Sequence, residues 1–177
     1  MQIDPKRRTI LTSAEAEDMH AKLAESAAHT AKWLAAQTND DPMSLLRAMR
    51  FDTVGHDPLT GEPLNVVEQL NQTFTILVTL RAIEQLFELH PDAGGFRLAL
   101  GTSSGRDIES VKERLVAAEV FSATRPTSNQ KLKKDQMRLA SDPAQYRYVF
   151  FCCPGYSAGR QQKLETISGI QVYAVDL

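Results

Sequence analysis

The stretch FRLALGTSSGRDIESVKERLVAAEVFSAT, residues 96–124, decides the fold. It places Asp107 twelve positions before Glu119, and Glu119 lies inside the apolar run AAEVFSA. A buried carboxylate is costly unless a metal, a cation or several hydrogen bonds compensate its charge. We therefore expect three short strands in this stretch, with the two carboxylates converging at one edge of a sheet.

The periodicity of this stretch is compatible with two structures. After a first strand at 96–100, a tight turn at 112–114 would join a strand at 107–111 to a more buried strand at 115–123. Apolar residues also recur here at helical spacing, so a single helix over 106–118 is the alternative. We predict the strands.

The flanking sequence predicts helices and further strands. A long helix is expected at 65–90, where Asn65 is a candidate cap and Glu68 follows at capping-box spacing. Another helix starts near Ser128, the run YRYVFFCC predicts a strand at 146–153, and IQVYAV predicts a last strand. The expected fold is therefore α/β (α+β), with a mixed central sheet of four to five strands in αβββαβ order flanked by helices.

The N-terminal third of the chain predicts a helical extension. Helical patterns at 13–37 and 43–49 are followed by a loop rich in Gly, Pro and Asp. We place a boundary near Glu62, so that 1–61 is the extension and 62–177 is the core. The extension would form a homodimer or contact the substrate.

Composition bounds the function only loosely. The chain of 177 residues has 42% hydrophobic and 24% charged residues, as soluble globular proteins do. Its formal charge of −2 gives no global sign of affinity for nucleic acids or membranes, although a local basic patch can still bind a nucleic acid. No apolar run approaches the roughly 20 residues that cross a bilayer, and we expect neither a secretory signal nor a membrane partner. Cys152 and Cys153 are adjacent and are the only cysteines, so we expect a reduced, cytoplasmic protein.

The long helix carries a polar stripe at steps of three and four residues, which includes Glu68 and Gln72. Such a stripe is an ordinary solvated face in many helices. The alternative is that Glu68 or Gln72 points at the edge of the sheet that holds the two carboxylates and supports an active site there.

The order of elements in residues 65–153, with GRDIES opening the second strand and AEVFSA inside the third, resembles the PD-(D/E)xK nuclease superfamily. The resemblance covers about half of the chain. Members of that superfamily have the restriction-endonuclease-like fold and mostly cleave DNA with Mg²⁺. The resemblance implies that Asp107 and Glu119 bind Mg²⁺, with Mn²⁺ as a substitute, and that the backbone carbonyl of Val120 is a third protein ligand.

The sequence departs from the superfamily at one position. Its third motif ends in a lysine two residues after the acid, and here that residue is Phe121. Either the cation has moved to the following helix, where Lys131 is the first candidate and Lys134 the second, or the fold persists without catalysis. Phe121 can neither orient a water molecule nor stabilise negative charge.

A basic segment follows the third strand. Between positions 125 and 138 there is one acid and there are five basic residues, namely Arg125, Lys131, Lys133, Lys134 and Arg138. On a helix beside the carboxylates, this segment could bind a phosphate backbone, although exposed basic helices also occur in proteins that bind no nucleic acid. Arg106 could reach a phosphate as well, or it could pair with Glu109.

Ordinary structural roles compete with each functional interpretation. Asp107 could be a turn or cap residue after Gly105, and Glu119 could form a buried ion pair with Arg97 or Arg147. We therefore keep three hypotheses: a metal-dependent nuclease acting on DNA, a non-catalytic domain that binds nucleic acid or protein, and a phosphate- or nucleotide-binding α/β protein. The third would use the GTSSG loop and requires a helix over 106–118.

Overall fold

The computed structural model describes residues 7–37, 41–100 and 105–177. In these ranges the chain forms four α-helices: α1 (Ser13–Ala35), α2 (Pro42–Phe51), α3 (Val66–Leu89) and α4 (Lys131–Ala140). In the same ranges it forms nine strands: β1 (Arg7–Ile10), β2 (Gly55–His56), β3 (Pro63–Leu64), β4 (Phe96–Ala99), β5 (Ile108–Ser110), β6 (Val116–Ser122), β7 (Tyr146–Cys152), β8 (Gly159–Arg160) and β9 (Ile170–Ala174).

The predicted α+β fold with a mixed sheet is confirmed. The elements α3, β4, β5, β6, α4 and β7 follow one another in the expected αβββαβ order. The strand order of the large sheet is β1-β4-β5-β6-β7-β9-β8, in which β4, β5 and β6 are antiparallel neighbours while β6, β7 and β9 are parallel. Since β5 and β6 are strands, the alternative of one helix over 106–118 is wrong.

The sheet is wider than the four to five strands expected, because two short strands extend its edges. At one edge, β1 pairs antiparallel with β4 and places Ile10 opposite Phe96. At the other edge, β8 pairs with β9. β8 and a single 3₁₀ turn at Gln162–Leu164 lie in the segment between β7 and β9.

The two faces of the sheet are covered by different helices. Because side chains alternate along a strand, Val149 and Phe151 of β7 point to the face covered by α4, where they pack in one core with Leu139. Tyr148, on the opposite face, forms a 2.8 Å hydrogen bond with His90, which follows α3. The side chains of β6 that point to the same face of the sheet as Glu119 are therefore covered by α4.

Contacts cluster into two compact units along the chain. One contains the described residues up to Ala16 together with Thr75–Leu177, and the other contains Glu17–Phe74. The division of the sequence at 61 and 62 into two domains stays a prediction. Within the described residues, no helix combines the length and the apolar character needed to cross a membrane.

In the unit Glu17–Phe74, buried Gln69 connects the helices and the small β2–β3 hairpin. Its Oε1 accepts hydrogen bonds from Thr30 Oγ1 at 2.6 Å and from the backbone N–H of His56 at 3.0 Å. Its Nε2 donates to the hydroxyl oxygen of Ser26 at 2.9 Å. One side chain of α3 thus fixes α1 and the hairpin at the same time.

Candidate functional site

Asp107, directly before β5, lies opposite Glu119 of the neighbouring antiparallel strand β6. Ile108 of β5 pairs with Ala118 of β6, and the next position of the same register brings Asp107 to Glu119. Residues directly opposite in an antiparallel pair have their Cβ atoms about 5 Å apart. Asp107 Oδ2 also accepts a 2.8 Å hydrogen bond from the backbone N–H of Val120, which fixes this carboxylate against β6. The predicted convergence of the two carboxylates is therefore present.

Glu119 is fully buried, with 0% of its surface exposed. Its Oε2 accepts a 2.9 Å hydrogen bond from Arg138 Nη1, whereas Oε1 receives no N–H or hydroxyl donor among the described residues, and a proton shared with the carboxyl group of Asp107 satisfies it. Burial and, next, the negative charge of Asp107 raise the pKa of Glu119 to about 8, against the opposing effect of Arg138. Two carboxyl groups in this arrangement need a proton or a cation between them.

α4 brings two cations and a third carboxylate to the same region. Lys131, Asp135 and Arg138 follow one another at steps of four and three residues, so they lie on one face of the helix. Lys131 Nζ forms a 2.7 Å ion pair with Asp135 Oδ1, while Asp135 Oδ2 is buried and has no hydrogen-bond partner among the described residues. Burial raises the pKa of Asp135, and the nearby Lys131 opposes this effect.

Phe121 occupies the position of the superfamily's lysine and belongs to the hydrophobic core. It is 4% exposed, and its ring stacks on that of Phe151 with 5.6 Å between the ring centroids. A lysine at this position would have to place its ammonium among aromatic rings. In this protein, the guanidinium that contacts Glu119 comes from α4.

Glu119 and Arg106 form ion pairs with residues other than those suggested by the sequence. The suggested partners of Glu119 were wrong, because Arg97 donates to the carbonyl oxygen of Ser110 and Arg147 donates to carbonyl oxygens at the end of α4. Glu119 does form a buried ion pair with an arginine, but that arginine is Arg138. The suggested pairing of Arg106 with Glu109 was also wrong, because Arg106 Nε lies 2.5 Å from Asp142 Oδ2. The actual partners, Arg138 for Glu119 and Asp142 for Arg106, are 19 and 36 positions away in the sequence. Both contacts depend on how α4 lies on the sheet.

The predicted nucleic-acid contacts differ in how available they are. Arg125, Lys133 and Lys134 are exposed. Lys131 and Arg138 keep 36% and 48% of their side chains exposed while they bind buried carboxylates. All five, together with Arg106, remain predicted phosphate contacts, and Lys131 remains a predicted catalytic cation.

The other predicted residues are not tested by these contacts. Glu68 and Gln72 belong to the other compact unit, and their supporting role stays a prediction. Residues 101–104 of the GTSSG loop lie outside the described residues, and the helix that would give this loop a phosphate site is replaced by β5. The predicted homodimer and the cytoplasmic location stay predictions.

A single hard cation fits the donor set better than a larger metal centre does. No group of three or more His, Cys, Asp or Glu side chains among the described residues could hold a metal ion. However, Asp107 and Glu119 present two adjacent carboxyl groups, and either a shared proton or a bound cation satisfies the buried Oε1 of Glu119. Mg²⁺ is commonly bound by only one or two carboxylates with water and phosphate oxygens, and the carbonyl of Val120 stays the predicted third ligand.

Two members of this cluster, Asp135 and Arg138, were missed as partners of the carboxylates by reasoning from the sequence. The available signal was a single acid in a basic helical segment, with one cation four positions before it and another three positions after it. That spacing predicts a shared helix face, but it does not say whether the face is buried.

Comparison with known proteins gives no match for this chain, whether to a protein-family model, a curated protein or a solved structure.

Proposed function

We propose that this protein is a metal-dependent nuclease that hydrolyses phosphodiester bonds in DNA, with Asp107 and Glu119 binding one Mg²⁺ or Mn²⁺. The observation that carries the proposal is the opposed pair of carboxyl groups, Asp107 and the fully buried Glu119, which need either a shared proton or a cation between them. The αβββαβ order of the elements and the positions of both acids agree with the pattern of the PD-(D/E)xK superfamily. A bound divalent ion would supply a polarised water and would neutralise charge on the phosphate.

The protein's own residues have defined tasks in this proposal. Asp107, fixed by the N–H of Val120, lies directly before β5, and Glu119, which pairs with Arg138 in the absence of ligands, lies on β6. Arg138 is half-exposed and keeps further N–H donors for a phosphate oxygen, because guanidinium has five donors. The exposed cations Arg125, Lys133 and Lys134 would bind the backbone of the DNA and make the affinity dependent on salt.

A second candidate is a non-catalytic domain that binds nucleic acid or protein. The ion pair between Arg138 and Glu119 favours it, because an arginine that neutralises a buried carboxylate can be a purely structural partner. The packing of Phe121 in the core also favours it, since this position then contributes nothing to hydrolysis.

Nicking of supercoiled plasmid DNA with Mg²⁺ or Mn²⁺ separates the two candidates. The nuclease proposal expects metal-dependent nicking that falls at least about 100-fold in Asp107→Asn and in Glu119→Gln, as when a group that stabilises the transition state is lost. Glu109→Gln is the matched control, since this exposed carboxylate lies on β5 and pairs with Ala117. Nicking that survives both site substitutions would refute the assigned centre, and binding of DNA without any cleavage would favour the second candidate.

A further inference from the structure

Two ion pairs on α4 span the boundary between the buried carboxylates and solvent. Arg138 has 48% of its side chain exposed and contacts Glu119, whose side chain is 0% exposed. Lys131 has 36% of its side chain exposed and contacts Asp135, whose side chain is 1% exposed. In both pairs, therefore, the cation can reach a ligand from solvent while its carboxylate stays inside.

Arg138 and a metal ion would compete for Glu119. The bond from Arg138 uses Oε2, and Oε1 is the oxygen that receives no N–H or hydroxyl donor among the described residues. A divalent ion close to Oε1 would repel the guanidinium that already lies beside the same carboxylate. Repulsion from Arg138 therefore weakens the binding of a metal ion in the absence of any other ligand.

A phosphodiester would remove this conflict. Guanidinium binds phosphate oxygens through two parallel N–H donors, a geometry that is stronger than a single bond. The charge balance of the site also favours binding of a phosphodiester together with the metal ion. Two cations, Lys131 and Arg138, lie beside three carboxyl groups, namely Asp107, Glu119 and Asp135. When a divalent ion takes the place of the proton of Glu119 and all three carboxyl groups are ionised, the site carries one positive charge in excess, and one phosphodiester cancels it.

We propose that the metal ion and the phosphodiester bind this site cooperatively, because the phosphodiester draws Arg138 away from Glu119 and leaves the carboxylate to the metal. The inference rests on the proposed metal site and adds that binding of the metal ion and binding of the phosphodiester are coupled. Coupling between two ligands is reciprocal, so the metal must tighten DNA binding by the same factor as DNA tightens metal binding. Arg138 is the residue through which the coupling acts.

Binding of Mn²⁺, measured by the loss of the free-ion signal in electron paramagnetic resonance, tests this without any turnover. The full chain is titrated alone and with a saturating phosphorothioate duplex, which resists cleavage. We expect the duplex to tighten Mn²⁺ binding about tenfold, within the usual range of such couplings. In Arg138→Gln, Mn²⁺ binding to the free protein becomes tighter and the effect of the duplex falls below about twofold.

Two further variants make the experiment specific. Lys134→Gln removes one positive charge from an exposed position of the same helix, so it weakens DNA binding but leaves the coupling factor unchanged. Arg138→Lys keeps the charge but loses the paired donors, and it retains part of the coupling. Thermal melting checks that each variant is folded, and Arg138→Lys takes the place of Arg138→Gln if the latter does not fold.

The outcomes distinguish this inference from the proposed function. Mn²⁺ binding that is equal with and without the duplex overturns cooperativity and leaves the metal site intact. Weaker Mn²⁺ binding by Arg138→Gln in both states also overturns it, because Arg138 then only holds Glu119 in place. No Mn²⁺ binding in either state, or Mn²⁺ binding that persists unchanged in Glu119→Gln, removes the metal site and this inference with it.

Discussion

Asp107 binds the backbone of Val120, so the carboxylate that faces Glu119 also fixes the strand that carries Glu119. The hydrogen bond from the N–H of Val120 to Asp107 Oδ2 is 2.8 Å long, and Val120 is buried. Asp107 therefore has a structural role that does not depend on any metal. Substitutions at this position must separate the acceptor from the negative charge.

Asp107→Ala is expected to destabilise the protein by about 1–3 kcal/mol, because the buried N–H of Val120 loses its acceptor. Asp107→Asn keeps an acceptor oxygen and removes the negative charge beside Glu119, so it costs less. Urea unfolding with chelator present measures both free energies of unfolding. Equal destabilisation by the two variants would contradict the assigned role of the hydrogen bond.

The protonation of Glu119 predicts how stability depends on pH. Burial and Asp107 raise its pKa in the folded protein from 4.5 to about 8, so the folded state binds more protons than the unfolded state between these values. Proton binding to Glu119 stabilises the folded state fully below pH 4.5. This contribution to the free energy of unfolding is lost as the pH rises towards 8, by at most about 1.4 kcal/mol per pH unit.

Glu119→Gln provides the comparison for this pH dependence. Glutamine has no proton to lose, so the difference in free energy of unfolding between the variant and the natural protein should grow in favour of glutamine from pH 5 to 8. Subtracting the two curves removes other titrating groups such as His90, whose pKa is lowered by burial. A difference that stays constant over this range would mean that Glu119 is ionised throughout.

Phe121→Lys tests whether the superfamily's lysine can be restored. We expect a loss of more than about 3 kcal/mol, because an ammonium without a partner would be buried beside Phe151. Phe121→Leu, which keeps the site apolar, should cost about 1–2 kcal/mol. Thermal or urea unfolding measures both. A stable Phe121→Lys protein with increased nicking would instead show that this position opens towards the site.

The positions of the two carboxylates could be predicted from the sequence because they depend on local rules. A strand alternates its side chains, and two antiparallel strands joined by a tight turn bring residues equally distant from the turn together. Ser110 strengthens this turn, since its Oγ accepts from the N–H of Val116 at 2.9 Å. The mutual position of Asp107 and Glu119 follows from these rules without knowledge of the rest of the fold.

The partners of the carboxylates could not be predicted, because they depend on tertiary packing. Arg138 follows Glu119 by 19 positions and reaches it only because α4 lies on that face of the sheet with Leu139 in the core. β1 was missed as a strand for the same reason, since RRTI has little apolar character and is extended by its pairing with β4. Periodicity describes an element, but it does not specify what covers it.

In the unit Glu17–Phe74, the side chain of Gln69 packs directly against Gly55. Gln69→Ala removes the acceptor of Thr30 and of the His56 N–H, so it should cost about 2–3 kcal/mol. A Cβ at Gly55 would overlap Gln69 Oε1 and would lie 3.2 Å from the carbonyl oxygen of Leu64, so Gly55→Ala should cost about 1–3 kcal/mol by overpacking.

Combining the two substitutions measures their coupling. Once Gln69 is alanine, the Cβ at Gly55 meets only the backbone oxygens, so Gly55→Ala should cost at least about 1 kcal/mol less than it does in the natural protein. The four free energies of unfolding, measured in urea, close a double-mutant cycle. Strict additivity would show that the hairpin shifts freely and that Gln69 does not determine its position, whereas a favourable coupling means that the glycine is required by the side chain packed against it.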